Sequence, residues 1–365
     1  METKTKDDIT EVIDIRSLLD ECIFVPYNIQ EHGIIRLIVD DYLECGLDAL
    51  DEEKMNRGLG YLNDTIQSVN KGLRGACLGG HLELAELMIL RGADYFNDGL
   101  YGACRRGHIA LAELMISKGA NHWNGGLCDA CRGGHLELAE LMISKGARIW
   151  VWGLQGACEG GHSASIQLMI SKGANDWNWG LHGACRGGHL ELAESMIFKG
   201  AKDWNGGLIE ACDGGHIEIA QLMISKGAND WHNGFRVACK GGHLELAHLM
   251  ISKGANDWDR GLIEACDGGH IEIAQLMISK GANSWNRGLW GACREGHLKL
   301  AELMISKGAY NWNYGLYGAC LGGHLELVQL MVSKGISKAD IRTLLSEHQY
   351  TANINVNIYL KSQLK

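Results

Sequence analysis

The chain has 365 residues, 46% of them hydrophobic and 21% charged, a globular rather than a disordered balance. Its formal net charge is −10, from 44 acidic and 34 basic residues, and no Lys/Arg run stands out, so the usual electrostatic footprint of nucleic-acid backbone binding is absent. Fifty glycines beside a single proline, without a collagen period, point to repeated helix stops and tight turns.

The opening residues Met1 to Asp8 lack the apolar core of a signal peptide. No apolar run approaches the ~20 residues of a membrane span. These features predict a cytoplasmic or nuclear, non-secreted protein with reduced thiols and no membrane partner. Residues 1–71 keep no period. Apolar residues cluster at helical spacing from Asp8 to Cys22 and from Ile34 to Leu43, with Pro26 as a break between them. Arg57-Gly58-Leu59 echoes the opening of the unit that follows. The segment predicts a helical N-terminal cap with a degenerate half-repeat, which a stack needs to cover its terminal apolar face.

From Gly72 the chain repeats every 27 residues without an insertion, with units opening at Gly72, Gly99, Gly126, Gly153, Gly180, Gly207, Gly234, Gly261, Gly288 and Gly315. Gly207 to Asn229 recurs letter for letter as Gly261 to Asn283. Such a fixed period is the signature of a stacked-repeat protein. Each unit holds two apolar stretches. In the Gly207 unit the first, Leu208 to Cys212, predicts a short helix opening near the Gly-Leu pair and ended by Gly-Gly. Residue 26 of most units is Asn or Asp (Asn97, Asn124, Asn178, Asn205, Asp259, Asn286, Asn313), the expected N-cap of that helix. The second stretch, His216 to Lys226, predicts a helix buried over most of its surface, with Glu218, Gln221 and Ser225 outward. Lys226 suits the last turn and Gly227 the stop. The strand consensus of a leucine-rich repeat, the rival at this period, is missing.

Gly-Gly-His-Leu-Glu-Leu-Ala-Glu-Leu-Met-Ile-Ser-Lys-Gly-Ala, Gly133 to Ala147, resembles the second helix of an ankyrin repeat, and Gly-Leu-x-x-Ala-Cys stands where that family opens with Thr-Pro-Leu-His-x-Ala-Ala. The resemblance covers residues 72–335. It implies an all-α, ankyrin-like helical-repeat solenoid of ten two-helix repeats with helical caps, and a protein-binding concave groove lined by the first helices. Thr-Pro is missing throughout, and each unit is shorter than the family's usual 33 residues. The shortfall falls between Gly-Ala and Gly-Leu, so a tight loop is expected in place of the family's β-hairpin finger. Regular short arrays of this kind look similar to ankyrin proteins of large DNA viruses. Residues 336–365 read as a C-terminal capping helix, entered through the capping-box-like Ser337 to Asp340, and a polar tail. That tail does not resemble the F-box-like tail of some viral ankyrin proteins.

Thirteen cysteines are present, and ten share one repeat position, from Cys77 to Cys320. Neighbouring repeats would hold them about 8–10 Å apart, beyond the roughly 7 Å limit of a disulfide. Ten Cys-x3-His pairs, Cys77/His81 to Cys320/His324, suggest zinc, but a site needs about four converging ligands and each pair is alone on its repeat. The cysteine reads as a compact hydrophobe and the histidine as a loop hydrogen-bonder, with no metal. Cys128 and Cys131 form a C-x-x-C outside any βαβ pattern. No catalytic set or phosphate loop occurs, so neither an enzyme nor a cofactor is expected. The aromatic ladder Phe96, Trp123, Trp150, Trp177, Trp204, Trp231, Trp258, Trp285 and Trp312 could stack bases or plug the gap left by the missing finger. The acidic balance favours the plug.

The functional signal lies in what varies between near-identical units. The third residue reads Arg74, Tyr101, Cys128, Gln155, His182, Ile209, Arg236, Ile263, Trp290, Tyr317. The seventh reads Leu78, Arg105, Arg132, Glu159, Arg186, Asp213, Lys240, Asp267, Arg294, Leu321. Four apart on one short helix, these share a face. The residue before each Gly-Leu also varies, as Trp152, Trp179, Arg260, Arg287 and Tyr314. Arg, Tyr and Trp dominate protein interfaces, so the expected function is a non-catalytic scaffold, a monomer binding an unidentified protein partner along this strip and no nucleic acid. The alternatives are a self-associating structural component and, further off, metal or redox buffering by the Cys/His ladder.

Overall fold

A computed structural model of the protein describes residues 69–346 and 353–364. The apolar clusters of residues 8–22 and 34–43 and the Arg57-Gly58-Leu59 echo lie outside the described residues. The described residues divide into two compact units at Gly126 and Leu127, inside the helix Trp123–Gly133. Among the described residues every regular element is a helix, and helices come in pairs, as the sequence predicts.

In the second unit, the Gly207 repeat pairs Trp204–Gly214 with Ile217–Lys226. Successive first helices stack on one another in chain order, and each packs on its own second helix. The core follows from the repeat. Leu208, Ala211 and Cys212 from the first helix meet Ile219, Ala220 and Met223 from the second, all at most 1% exposed. Small Ala and Cys let the helices approach, while Leu and Met fill the space between layers. Glu218, Gln221 and Ser225 are exposed, as expected. Burial pushes the Cys212 thiol up to about 12, so it stays protonated and unreactive at neutral pH.

The Gly-Gly-His turn has a steric and a polar cause. Gly215 ends the first helix with φ 84, the left-handed region. A Cβ there would also lie 2.6 Å from the His243 ring of the next repeat. That ring is held because its Nε2–H donates to the Asp213 carbonyl at 3.1 Å. His189, His216 and His324 bond in the same way to the carbonyls of Glu159, Arg186 and Arg294. Each histidine thus satisfies a terminal carbonyl of the preceding repeat's first helix. His270 is held below its ordinary value chiefly by burial, which favours the neutral ring.

The start of the first helix differs from expectation. It opens at the tryptophan, three residues before Gly-Leu, and its cap is residue 24 of the preceding unit. Asp176, Asp203, Asp230, Asp257 and Asn311 accept there from the backbone N–H of Asn178, Gly206, Asn233, Arg260 and Tyr314. The residue-26 Asn or Asp lies inside the first turn and reaches forward to the next repeat instead. Asn178 accepts from Lys202 N and Asp203 N at 2.8 and 3.0 Å. Asn205 does so from Asn229 N and Asp230 N at the same distances, and Asn286 from Tyr310 N and Asn311 N at 2.9 Å each. In the first unit, Asn70 and Asn97 make the same pair of bonds. With the loop too short to pair with itself as a hairpin, its N–H groups take a side-chain acceptor from the preceding repeat.

At the C-terminal end, Ser337 and Asp340 cap the helix Lys338–Ser346 as anticipated, with Asp340 N bonded to Ser337 Oγ at 3.1 Å. Its Ile341 and Leu344 are buried. A second helix, Ile354–Ser362, occupies the tail that reads as merely polar in sequence. Asn353 caps it, and Val356 and Leu360 are fully buried.

Candidate functional site

The third- and seventh-residue side chains fall on one face of each first helix, and most are half-buried. In the first unit Arg74 and Arg105 are exposed, and the half-buried Tyr101 shares a 2.8 Å hydrogen bond with His122 Nδ1.

In the second unit the seventh residues alternate in sign from Arg132 to Arg294, and much of that charge is matched within the face. Arg132 pairs with Asp129 and, at 2.9 Å, with Glu159. Arg186 pairs with Glu210 at 2.5 Å and Asp213 at 3.0 Å. Arg294 lies 3.6 Å from Asp267, bonds Glu295 at 2.7 Å, and stacks 4.5 Å over the Trp290 ring. Trp290 in turn stacks on Tyr314, centroids 5.6 Å apart. Arg236 reaches Glu264 at 3.2 Å, and Arg260 reaches the same carboxylate at 2.6 Å. His182 bonds Asp203 at 2.9 Å. Gln155 and Tyr317 are half-buried on the same face, and Lys240 is exposed.

Three of these partners, Asp129, Glu210 and Glu264, occupy the fourth residue of their repeats, which sequence reasoning passed over. The signal was present, because that residue is glycine in six units and Asp129, Glu210, Val237 or Glu264 in the other four. At Gly183 a Cβ would run into the Gln155 carbonyl oxygen of the preceding first helix. The helices Trp150–Gly160 and Trp177–Gly187 accordingly pack closer than Trp177–Gly187 and Trp204–Gly214, where the fourth residue is Glu210. The helices come closest where both carry glycine at this place, as with Gly156 and Gly183, and an acid there supplies a carboxylate to the face.

Burial raises the Asp267 carboxyl above its ordinary value; Arg294 pulls the other way, and Glu264 and Glu295 add to the rise. Asp267 Oδ1 and Trp290 Nε1 are buried without hydrogen-bond partners. The tryptophan ladder stands at the start of each first helix, half-buried. Trp177 lies under Lys199, 5.2 Å from its Nζ, and Trp258 meets Phe235 edge-on at 6.1 Å, which is packing geometry for both. Among the described residues no cluster of three or more His, Cys, Asp or Glu side chains could hold a metal, and no helix is long and apolar enough to cross a membrane.

No family model matches the chain, and no curated protein matches it. Among solved structures it is similar to the crystal structure of the human ASB11 ankyrin repeat domain, at 23% identity over 43% of this chain and 84% of that one, with a TM-score of 0.29.

Proposed function

We propose that the protein is a non-catalytic scaffold of ankyrin-like repeats that binds a partner protein along the face of its first helices, the concave groove of such a stack. One observation carries this reading. Repeats that agree almost letter for letter in their core and turns differ at the third, fourth and seventh residues and before Gly-Leu, and within each first helix those side chains share one partly exposed face. Arg, Trp and Tyr recur there, the residues that supply most interface energy. Helix caps, the residue-26 bonds to the next repeat and the histidine bonds hold that face in one conformation, so little conformational entropy is lost on binding. The working place is the cytoplasm or nucleus, of a host cell if the array is viral.

The test is affinity purification with mass spectrometry. Wild type is compared with a variant carrying Tyr101→Ala, His182→Ala, Arg236→Ala, Trp290→Ala and Tyr317→Ala, after circular dichroism has shown both to be folded. A defined set of proteins lost by the variant is the expected result. Recovery of the same partners by both would move binding to the caps or the second-helix face, and recovery of the chain alone would make self-association the function.

A further inference from the structure

The first-helix face is not uniform along the second unit, and its polarity changes between two copies of the same sequence. Around the Gly207 repeat two carboxylates, Glu210 and Asp213, share the single guanidinium of Arg186. Around the Gly261 repeat the ratio inverts. Glu264, with its side chain 4% exposed, holds two guanidiniums, Arg236 and Arg260, which remain 37% and 50% exposed. Lys240 and Arg287 are exposed on the same face. Arg294 is fixed between Asp267, Glu295 and the Trp290 ring. Five cations here face three carboxylates, in a chain of net charge −10.

We infer that the stretch from Arg236 to Tyr314 receives a carboxylate-rich, extended segment of the partner protein. The claim rests on the reading of this face as the binding surface and names the chemistry of what binds there. A buried carboxylate that orients two exposed guanidiniums leaves their outer N–H groups free for further carboxylates, in the fork geometry that suits them. Trp290 Nε1, a buried donor without an acceptor, adds to the demand for acceptors. The stacked Trp290 and Tyr314 rings give the segment an apolar anchor at one end. Arg236 and Arg287 are two repeats apart. At about 10 Å per helix layer that is about 20 Å, the span of about six extended residues. Glu264 and Asp267 break the cations into separate sites, which suits the spaced carboxylates of an extended peptide and not the evenly repeated charge of a phosphate backbone.

The test is fluorescence anisotropy at low and moderate salt with three labelled probes. They are a decapeptide of alternating glutamate and glycine, its glutamine counterpart, and a single-stranded oligodeoxynucleotide of matched charge. The proteins are wild type, the double variant Arg260→Gly with Arg287→Ala, and Lys226→Ala on the second-helix face as a control. The glutamate probe is expected to bind wild type and the control alike, to weaken with salt, and to bind the double variant about tenfold less tightly. The glutamine probe is expected not to bind. Absence of glutamate-probe binding to wild type, or equal binding to the double variant, overturns the inference, as does tighter binding of the oligonucleotide. If protein capture still depends on the first-helix face, only the partner chemistry has failed; if capture is independent of the face, the functional reading has failed with it.

Discussion

Gly207 to Asn229 and Gly261 to Asn283 are the same 23 letters, yet they present different surfaces. Their cores are alike, with Leu208 and Leu262, Cys212 and Cys266, and Met223 and Met277 all fully buried. Their faces are not. Glu210 is 21% exposed and is bonded by Arg186, a seventh residue of the preceding repeat. Glu264 is 4% exposed and is bonded by Arg236, a third residue of the preceding repeat, and by Arg260, where the first copy has Gly206. In a stacked array a residue's environment is written partly in the letters one repeat away. Identical repeats can therefore carry different chemistry without any change of their own.

The largest effects should show where the copies agree. Met223→Ala and Met277→Ala each empty a site with no exposure and should cost about 2–5 kcal/mol, with the two values within about 0.5 kcal/mol of each other. Urea denaturation checks this, and a clear inequality would mean that the cores differ as well. Next come the carboxylates. Glu264→Ala removes the acceptor of two guanidiniums and should cost about 1–3 kcal/mol. Glu210→Ala breaks one, more exposed pair and should cost less than about 1 kcal/mol. The residue-26 bonds to the next repeat should differ less. Asn205→Ala and Asp259→Ala each leave two loop N–H groups without an acceptor, at about 1 kcal/mol, with Asp259 the costlier because a charged acceptor binds the same groups more strongly.

The smallest effect is one of pH, and it belongs to the Gly261 copy. Burial raises the Asp267 carboxyl, so the folded state holds that proton more tightly than the unfolded state. The contribution is favourable below the ordinary carboxyl range, near pH 4, and is lost as pH rises through the higher folded value. Asp267→Asn should therefore gain stability at pH 7 relative to wild type, less whatever the 3.6 Å contact with Arg294 returns, and the gain should vanish near pH 3. Asp213→Asn gives up the 3.0 Å pair with Arg186 and should lose stability at pH 7. Denaturation of Asp267→Asn near pH 7 and near pH 3, and of Asp213→Asn near pH 7, checks both.

The period, the helix stops, the buried Leu, Ala, Cys and Met, and the outward Glu218, Gln221 and Ser225 were all legible in the sequence, because a packed repeat imposes them locally. The histidine of Gly-Gly-His was legible as a hydrogen-bonder, but its acceptor, a terminal carbonyl of the preceding repeat's first helix, was not. The helix start was misplaced because residues 24 and 26 both favour Asp and Asn. Only the three-dimensional stack separates the one that caps its own helix from the one that reaches into the next repeat. The third- and seventh-residue strip was found by its variation, while the fourth residue was missed because a glycine there reads as a turn former. There a pair of glycines, Gly156 and Gly183, lets two first helices meet closely, while Glu210 supplies a carboxylate instead. The last helix, Ile354–Ser362, escaped because Val356 and Leu360 are few apolar residues in a polar stretch and gain their burial only from the stack.

The most direct test of the central claim, that neighbours and not the repeated letters give each stretch of the face its chemistry, is a hydrogen-exchange footprint of the wild-type protein with the glutamate decapeptide. Protection is expected in the helices Trp231–Gly241, Trp258–Gly268 and Trp285–Glu295, with Trp204–Gly214 unchanged although most of its letters equal those of Trp258–Gly268. Equal protection of the two matching helices would contradict the account, since it would mean that the shared sequence alone decides what binds.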